Sequence, residues 1–312
     1  MLRARAIVAA AATCLPAVAQ PASPGCWIRD IAASGGAVAL LCGEGVLIRS
    51  TDGGASWSSL PVAEAIDARA VALVGSQRVV VAGGAGLILI SDDGGRSWRR
   101  PPSPAASALN DLTFVGLHGW AVGADGIVLH SADGGLSWRR QASFTTSTLR
   151  GVFFLDERRG WAVGWTGTLL YTTDGGRFWE QSAIPGIYFN LEAVHFRDPQ
   201  NGWIVGAPGL ILRTRDGGKT WSRQNSPVAG LLRAICFTSS GAGLIAGDEI
   251  LISRDGGETW QPAPLRSSET FTGVVAEDGR MWAVSPHGVF ASLDGGETWL
   301  ARHPLLPAAA GS

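Results

Sequence analysis

An eight-residue pattern close to S/T-x-D-G-G-x-S/T-W recurs along this chain seven times. The first copy is Ser50-Thr51-Asp52-Gly53-Gly54-Ala55-Ser56-Trp57, and the others end at Trp98, Trp138, Trp179, Trp221, Trp260 and Trp299. Successive tryptophans stand 41, 40, 41, 42, 39 and 39 residues apart. A period of that length marks a supersecondary unit that buries its apolar face only by stacking on its neighbours. In the fourth period, Leu149 to Leu155 reads as an apolar strand and Asp156 to Arg159 as a charged turn. Gly160 to Gly164 and Thr168 to Thr172 read as the next two strands, and a fourth begins near Phe178 after the Asp-Gly-Gly turn. Four short antiparallel strands per repeat make a propeller blade. The expected fold class is therefore all-β, a seven-bladed β-propeller of four-stranded antiparallel blades spanning residues 26–303.

The repeated residues have structural reasons. The box aspartates Asp52, Asp93, Asp133, Asp174, Asp216, Asp255 and Asp294 can accept hydrogen bonds from the amides of their own turns. The glycines permit positive φ. The box tryptophans Trp57, Trp98, Trp138, Trp179, Trp221, Trp260 and Trp299 supply large rings to pack between layers. A calcium reading of the boxes fails, because each offers one carboxylate where a calcium loop needs several alternating oxygen ligands. Counting strands leaves none over, so the ring is expected to close without an exchanged strand, helped by a Cys26–Cys42 link.

Residues 1–19 read as a secretory signal peptide. Arg3 and Arg5 form its positive start, Ala6 to Ala12 its apolar run, and Ala17-Val18-Ala19 its cleavage site. Residues 20–25 form a short linker and residues 304–312 a C-terminal tail. Export is expected to place the protein in a periplasm, where disulfides persist. Cys26 and Cys42 lie at the outer ends of a hairpin turning at Ser34-Gly35-Gly36 and are expected to be bonded; Cys236 is expected to be a buried free thiol.

The formal net charge is −1, which argues against nucleic acid and anionic membrane as partners. No apolar stretch is long enough to span a bilayer. The histidines His118, His130, His195, His287 and His303 have no metal-ligand spacing, and no nucleophile elbow or phosphate loop occurs. No metal and no cofactor is expected.

Two motifs combine in Gly160-Trp161-Ala162-Val163-Gly164-Trp165-Thr166-Gly167-Thr168-Leu169-Leu170 followed by Thr172-Thr173-Asp174-Gly175-Gly176. Together they resemble the photosystem II stability/assembly factor family of exported Asp-box (BNR) propellers, over residues 26 to 303. The resemblance implies a non-catalytic chaperone that holds a protein client, such as a membrane-protein assembly intermediate, possessing an arginine patch on its propeller, and placed in a thylakoid lumen if the host is photosynthetic. Asp boxes also occur in sialidases and sortilin-type receptors.

Aligning the seven first strands gives one equivalent position near each start: Arg29, Arg69, Asn110, Arg150, Glu192, Arg233 and Thr272. Ring symmetry would gather them at one channel mouth as a positive well, with Trp165, Tyr188, Phe189 and His287 in loops on the same rim. The candidate partner-binding residues are thus Arg29, Arg69, Arg150, Glu192, Arg233, Trp165, Tyr188, Phe189 and His287. The competing reading is that the arginines cap strand ends or pair with acids such as Asp30 and Asp111. The expected function is a monomeric protein-binding scaffold. The alternatives are a carbohydrate or cell-wall binder using Trp165 and its neighbours, and a sialidase-like hydrolase using Tyr171 or Tyr188. No catalytic residue is assigned.

Overall fold

The computed structural model describes residues 26–302 apart from 44, 63–66, 266, 268 and 278. The expected signal peptide, linker and tail lie outside the described residues. The chain forms a seven-bladed β-propeller, and among the described residues helix is limited to three short 3-10 turns. In each blade the strands pair in sequence order, every neighbour antiparallel. The innermost strands are Ile28–Ser34, Ala68–Val74, Leu109–Val115, Leu149–Phe154, Leu191–Phe196, Leu232–Phe237 and Gly273–Glu277. Second strands such as Gly160–Gly164 and Gly202–Gly206 are wholly buried, because sheets cover both their faces.

Blade two departs from the pattern. Its sheet has three strands, and the fourth is reduced to one bridge between Ile90 and Arg99. Pro101 and Pro102 follow after Arg100, and proline has no N–H to continue the ladder.

In every box the first hydroxyl donates to the aspartate and accepts from the second glycine. Ser50 Oγ donates to Asp52 Oδ1 at 2.7 Å, and Gly54 N donates to Ser50 Oγ at 2.8 Å. The second hydroxyl closes the turn, as in Thr220 Oγ1 to Asp216 Oδ2 at 2.6 Å. Box four lacks that hydroxyl: Phe178 stands there, so the full pattern holds in six of the seven copies. Its ring is exposed and meets Phe144, centroids 6.0 Å apart.

The blades are stitched by second-strand tryptophans. Trp120 Nε1 donates to Gly175 O, and Trp203 Nε1 to Gly257 O, each in the box of the following blade. Trp120 also stacks on Phe154 and Trp161 on Phe196, at 3.5 and 3.6 Å between centroids. The second glycine of the box leaves room for these indoles. At Gly54 (φ +85°) a Cβ would lie 2.0 Å from the Trp282 ring.

Among the described residues, ring closure exchanges no strand. Blade one meets blade seven through Ile28 N to Pro286 O (2.9 Å), Gly35 N to Glu277 Oε1 (2.6 Å) and Gly36 N to Glu277 Oε2 (3.2 Å). A shared core joins Ile28, Val38 and Leu40 to Trp282 and Val284. Cys26 and Cys42 are bonded, but within blade one, fastening the start of its first strand to the end of its second. The bond therefore does not itself join the two ends of the ring. Cys236 is buried with a free thiol, and burial pushes its pKa up to about 12.

Candidate functional site at the channel mouth

The antiparallel order puts the boxes and the first hairpin turns at one end of the ring. Gly53 N donates to Gly36 O and Gly134 N to Leu117 O, pinning each box beside the first turn of its blade. The opposite end, where the innermost strands begin, is the mouth. There Arg29, Arg69, Asn110, Arg150, Glu192, Arg233 and Thr272 line one central cavity of about 500 Å³.

Local backbone geometry explains the convergence. In six blades the pairing of first and second strands shifts register around the aligned residue, between Ile28 and Asp30, Ala68 and Ala70, Leu109 and Asp111, Leu149 and Gly151, Leu191 and Ala193, and Leu232 and Ala234. Each aligned residue is the extra residue of a β-bulge, a device that re-aims a side chain. Blade seven has no such shift; Thr272 precedes its strand and donates its N–H to Val284 O at 2.8 Å.

The charges differ from a positive well. Four arginines share the cavity with four carboxylates, Asp30, Asp67, Asp111 and Glu192. Arg69 pairs with Asp67 (2.8 Å) and donates to Asn110 Oδ1 (3.0 Å), while Asn110 Nδ2 donates to Leu149 O. Arg150 Nε pairs with Glu192 Oε2 at 2.9 Å. The arginines do not pair with Asp30 or Asp111. Those two accept backbone N–H groups instead, each from its own strand and from the next blade: Ile31 and Val71 on Asp30, Leu112 and Val152 on Asp111, all at 2.8 Å. Arg233 keeps a buried Nε without a hydrogen-bond partner.

Burial in the channel raises the pKa of Asp30 to about 6. Burial, then the charge of Asp30, raises that of Asp111 to about 7. His195 also faces the cavity, between Phe153 and Phe237, and desolvation lowers it to about 4, so its ring is neutral at pH 7. Sequence alignment missed the contributions of Asp67 and His195 because neither occupies the aligned register. The bulge itself was hidden, since six of the seven blades carry it at the same place and the spacing therefore stays nearly constant.

The rim aromatics lie outside the cavity. Trp165, Tyr188 and Phe189 are all exposed, Tyr188 by 80%. Trp165 opens the 3-10 turn Trp165–Gly167, whose Gly167 N donates to Phe189 O at 2.8 Å. His287 is apart from them, on blade seven against Trp27 at 5.4 Å, three blades from Trp165. Among the described residues, no group of three or more His, Cys, Asp or Glu side chains could hold a metal ion, and no helix is long and apolar enough to cross a membrane.

Fold and mouth define a closed Asp-box propeller with a charged, side-chain-lined channel. The family described as photosynthesis system II assembly factor YCF48 matches residues 71–143 and 141–228, about half of the chain, and a BNR/Asp-box repeat matches residues 251–262. The chain belongs to this YCF48 assembly-factor family. No curated protein matches it in sequence. Among solved structures it is similar to YCF48 from Cyanidioschyzon merolae, with 20% identity, TM-score 0.70 and coverage of 90% of this chain and 96% of that one. YCF48 bound to D1 peptide is also similar, with 20% identity, TM-score 0.60 and coverage of 76% and 80%. So is an ancestral GH74 enzyme, with 14% identity, TM-score 0.72 and coverage of 94% and 48%. At these identities the structural likenesses speak for the fold alone.

Proposed function

We propose that this chain is an exported, non-catalytic scaffold that holds a protein client at the channel mouth, in the manner of an assembly chaperone. The observation that carries the reading is the convergence of seven bulge-aligned or equivalent side chains on one cavity. Family membership supports it, and one relative of known structure is YCF48 bound to D1 peptide. The secretory pattern of residues 1–19 and the Cys26–Cys42 bond suit a periplasm or comparable oxidising compartment. Arg29 and Arg233 are the anchors, since Asp67 and Glu192 already hold Arg69 and Arg150. The test is Arg29→Glu with Arg233→Glu, followed by in-cell crosslinking and capture. Loss of the captured client is expected; capture at the native level would overturn the reading.

A hydrolase reading fares worse. Tyr171 donates to Glu180 on the outer part of blade four, and that bond raises the phenol pKa, keeping it protonated rather than nucleophilic. Tyr188 is solvent-exposed while Glu192 is committed to Arg150. A carbohydrate reading has one observation in its favour: the loops bearing Trp165, Tyr188 and Phe189 (165–168 and 183–190) contain no charged residue. Retention on neutral glycan resins, abolished by Trp165→Ala, would favour it over client docking.

A further inference from the structure

The mouth contains two kinds of carboxylate. Asp67 and Glu192 each touch an arginine. Asp30 and Asp111 touch none, and all of their hydrogen bonds come from backbone amides. Ionised, the four acids match the four arginines in number. Neutral, Asp30 and Asp111 leave the arginines in excess by two, and the excess falls on Arg29 and Arg233, which have no acidic partner among the described residues.

We infer that protonation of Asp30 and Asp111 switches the mouth from a charge-matched ring to a net-positive site for a strong anion such as a client carboxylate. The inference rests on client docking at this mouth and adds its regulation. The cavity geometry makes the coupling strong. Every charged group facing the two carboxylates is confined to the same 500 Å³. These groups are Arg29 on blade one, Asp67 and Arg69 on blade two, Arg150 on blade four, Glu192 on blade five and Arg233 on blade six. His195 stays neutral and adds nothing across this range. The two carboxylates also feel each other, and burial holds both nearer neutral pH than a free aspartate. Acidification from about pH 8 to about pH 5 therefore changes the charge of the mouth through Asp30 and Asp111.

Inorganic sulfate is a suitable probe, because it remains a dianion over this interval. Calorimetric titration of the protein at constant ionic strength should show sulfate binding about ten-fold tighter at pH 5 than at pH 8. The double variant Asp30→Asn, Asp111→Asn should bind at pH 8 as the native protein does at pH 5, with the slope gone. A native affinity that is flat with pH, or a slope that survives in the double variant, would overturn the inference. A second measurement avoids any variant. Carboxyl NMR of the native chain should show saturating sulfate raising the pKa of Asp30 and Asp111 by about half a unit each, by reciprocity of the coupling; unmoved titrations would also overturn it. Sulfate needs no client. Client capture that fails while these titrations hold leaves the switch standing and removes docking, whereas capture that succeeds with pH-independent sulfate removes the switch alone.

Discussion

At the box end of the propeller an aspartate is gripped by hydroxyls and amides of its own turn; at the mouth Asp30 and Asp111 are held by amides inside a narrow channel. The first arrangement lowers the pKa. For Asp216 the Thr220 hydroxyl and then its amide hold the carboxyl down to about 2, and all seven box aspartates move in the same direction. The second arrangement raises it, because desolvation outweighs two hydrogen bonds. The comparison teaches which end is repeated for stability and which is free to vary. The box residues recur with one departure, Phe178, whereas the mouth position takes arginine, asparagine, glutamate and threonine.

The comparison predicts a stability curve with two limbs, and its acid limb is the largest effect expected. A depressed carboxyl stabilises the fold above its unfolded pKa near 3.8, and that support is lost as pH falls toward about 2. All seven boxes act in the same direction. A raised carboxyl acts with the opposite sign: its contribution is complete below about pH 3.8 and is lost as pH rises through about 6 for Asp30 and about 7 for Asp111. These nine groups therefore place maximum stability near pH 4. Thermal melts from pH 2 to pH 8 would show it, and Asp111→Asn should flatten the neutral limb while leaving the acid limb in place. A neutral limb that still falls as steeply in that variant would break the assignment of opposite signs to the two ends.

Next in size is the blade-to-blade stitch. Trp203 is fully buried, donates to Gly257 O and stacks near Phe237 with centroids 4.4 Å apart. Trp203→Ala should cost about 3–5 kcal/mol in chemical denaturation, the range for deleting a large buried aromatic. Smaller again is a single box. Asp216→Ala strips acceptors from the Thr220 amide and hydroxyl and from the Thr214 hydroxyl. Its melting temperature should fall by about 2–4 °C, since water can reach that turn. A loss as large as that of Trp203→Ala would mean that the boxes, rather than the stitches between them, hold the ring.

Much of this was legible in the chain because propellers repeat. The Trp57 to Trp299 spacing specifies seven blades, and alignment of the first strands brings Arg29, Arg69, Arg150 and Arg233 to one opening. What stayed hidden were relations between side chains that the repeat does not encode. Asp67 precedes its strand, so no alignment column predicts its pairing with Arg69. Asp30 and Asp111 read as natural arginine partners, yet the bulge residue beside each is Arg29 and Asn110 respectively, and each carboxylate faces an amide of the next blade. The loss of a strand in blade two was written in Pro101 and Pro102, but the intact box ahead of them masked it. His287 shared a rim with Trp165 by topology, while the width of the ring separates them.

The smallest effect belongs to the mouth, and it sharpens the contrast by comparing two arginines. Arg69 is paired with Asp67 where both side chains reach solvent, exposed by 38% and 55%. Such a pair contributes little, so Arg69→Gln should change stability by less than about 1 kcal/mol. Arg213 lies toward the box end with only 4% of its side chain exposed, bound to Glu258 of the next blade and 5.1 Å from the Trp203 ring centroid. Its apolar stem and guanidinium both pack there, so Arg213→Gln should cost at least about 1 kcal/mol more than Arg69→Gln under the same denaturation. If the two variants lose the same stability, the mouth is as structural as the box end, and its mixed residues reflect something other than freedom to meet a partner. If Arg69→Gln is silent in stability yet weakens client capture, the channel mouth is the part of the ring that selection shaped for contact.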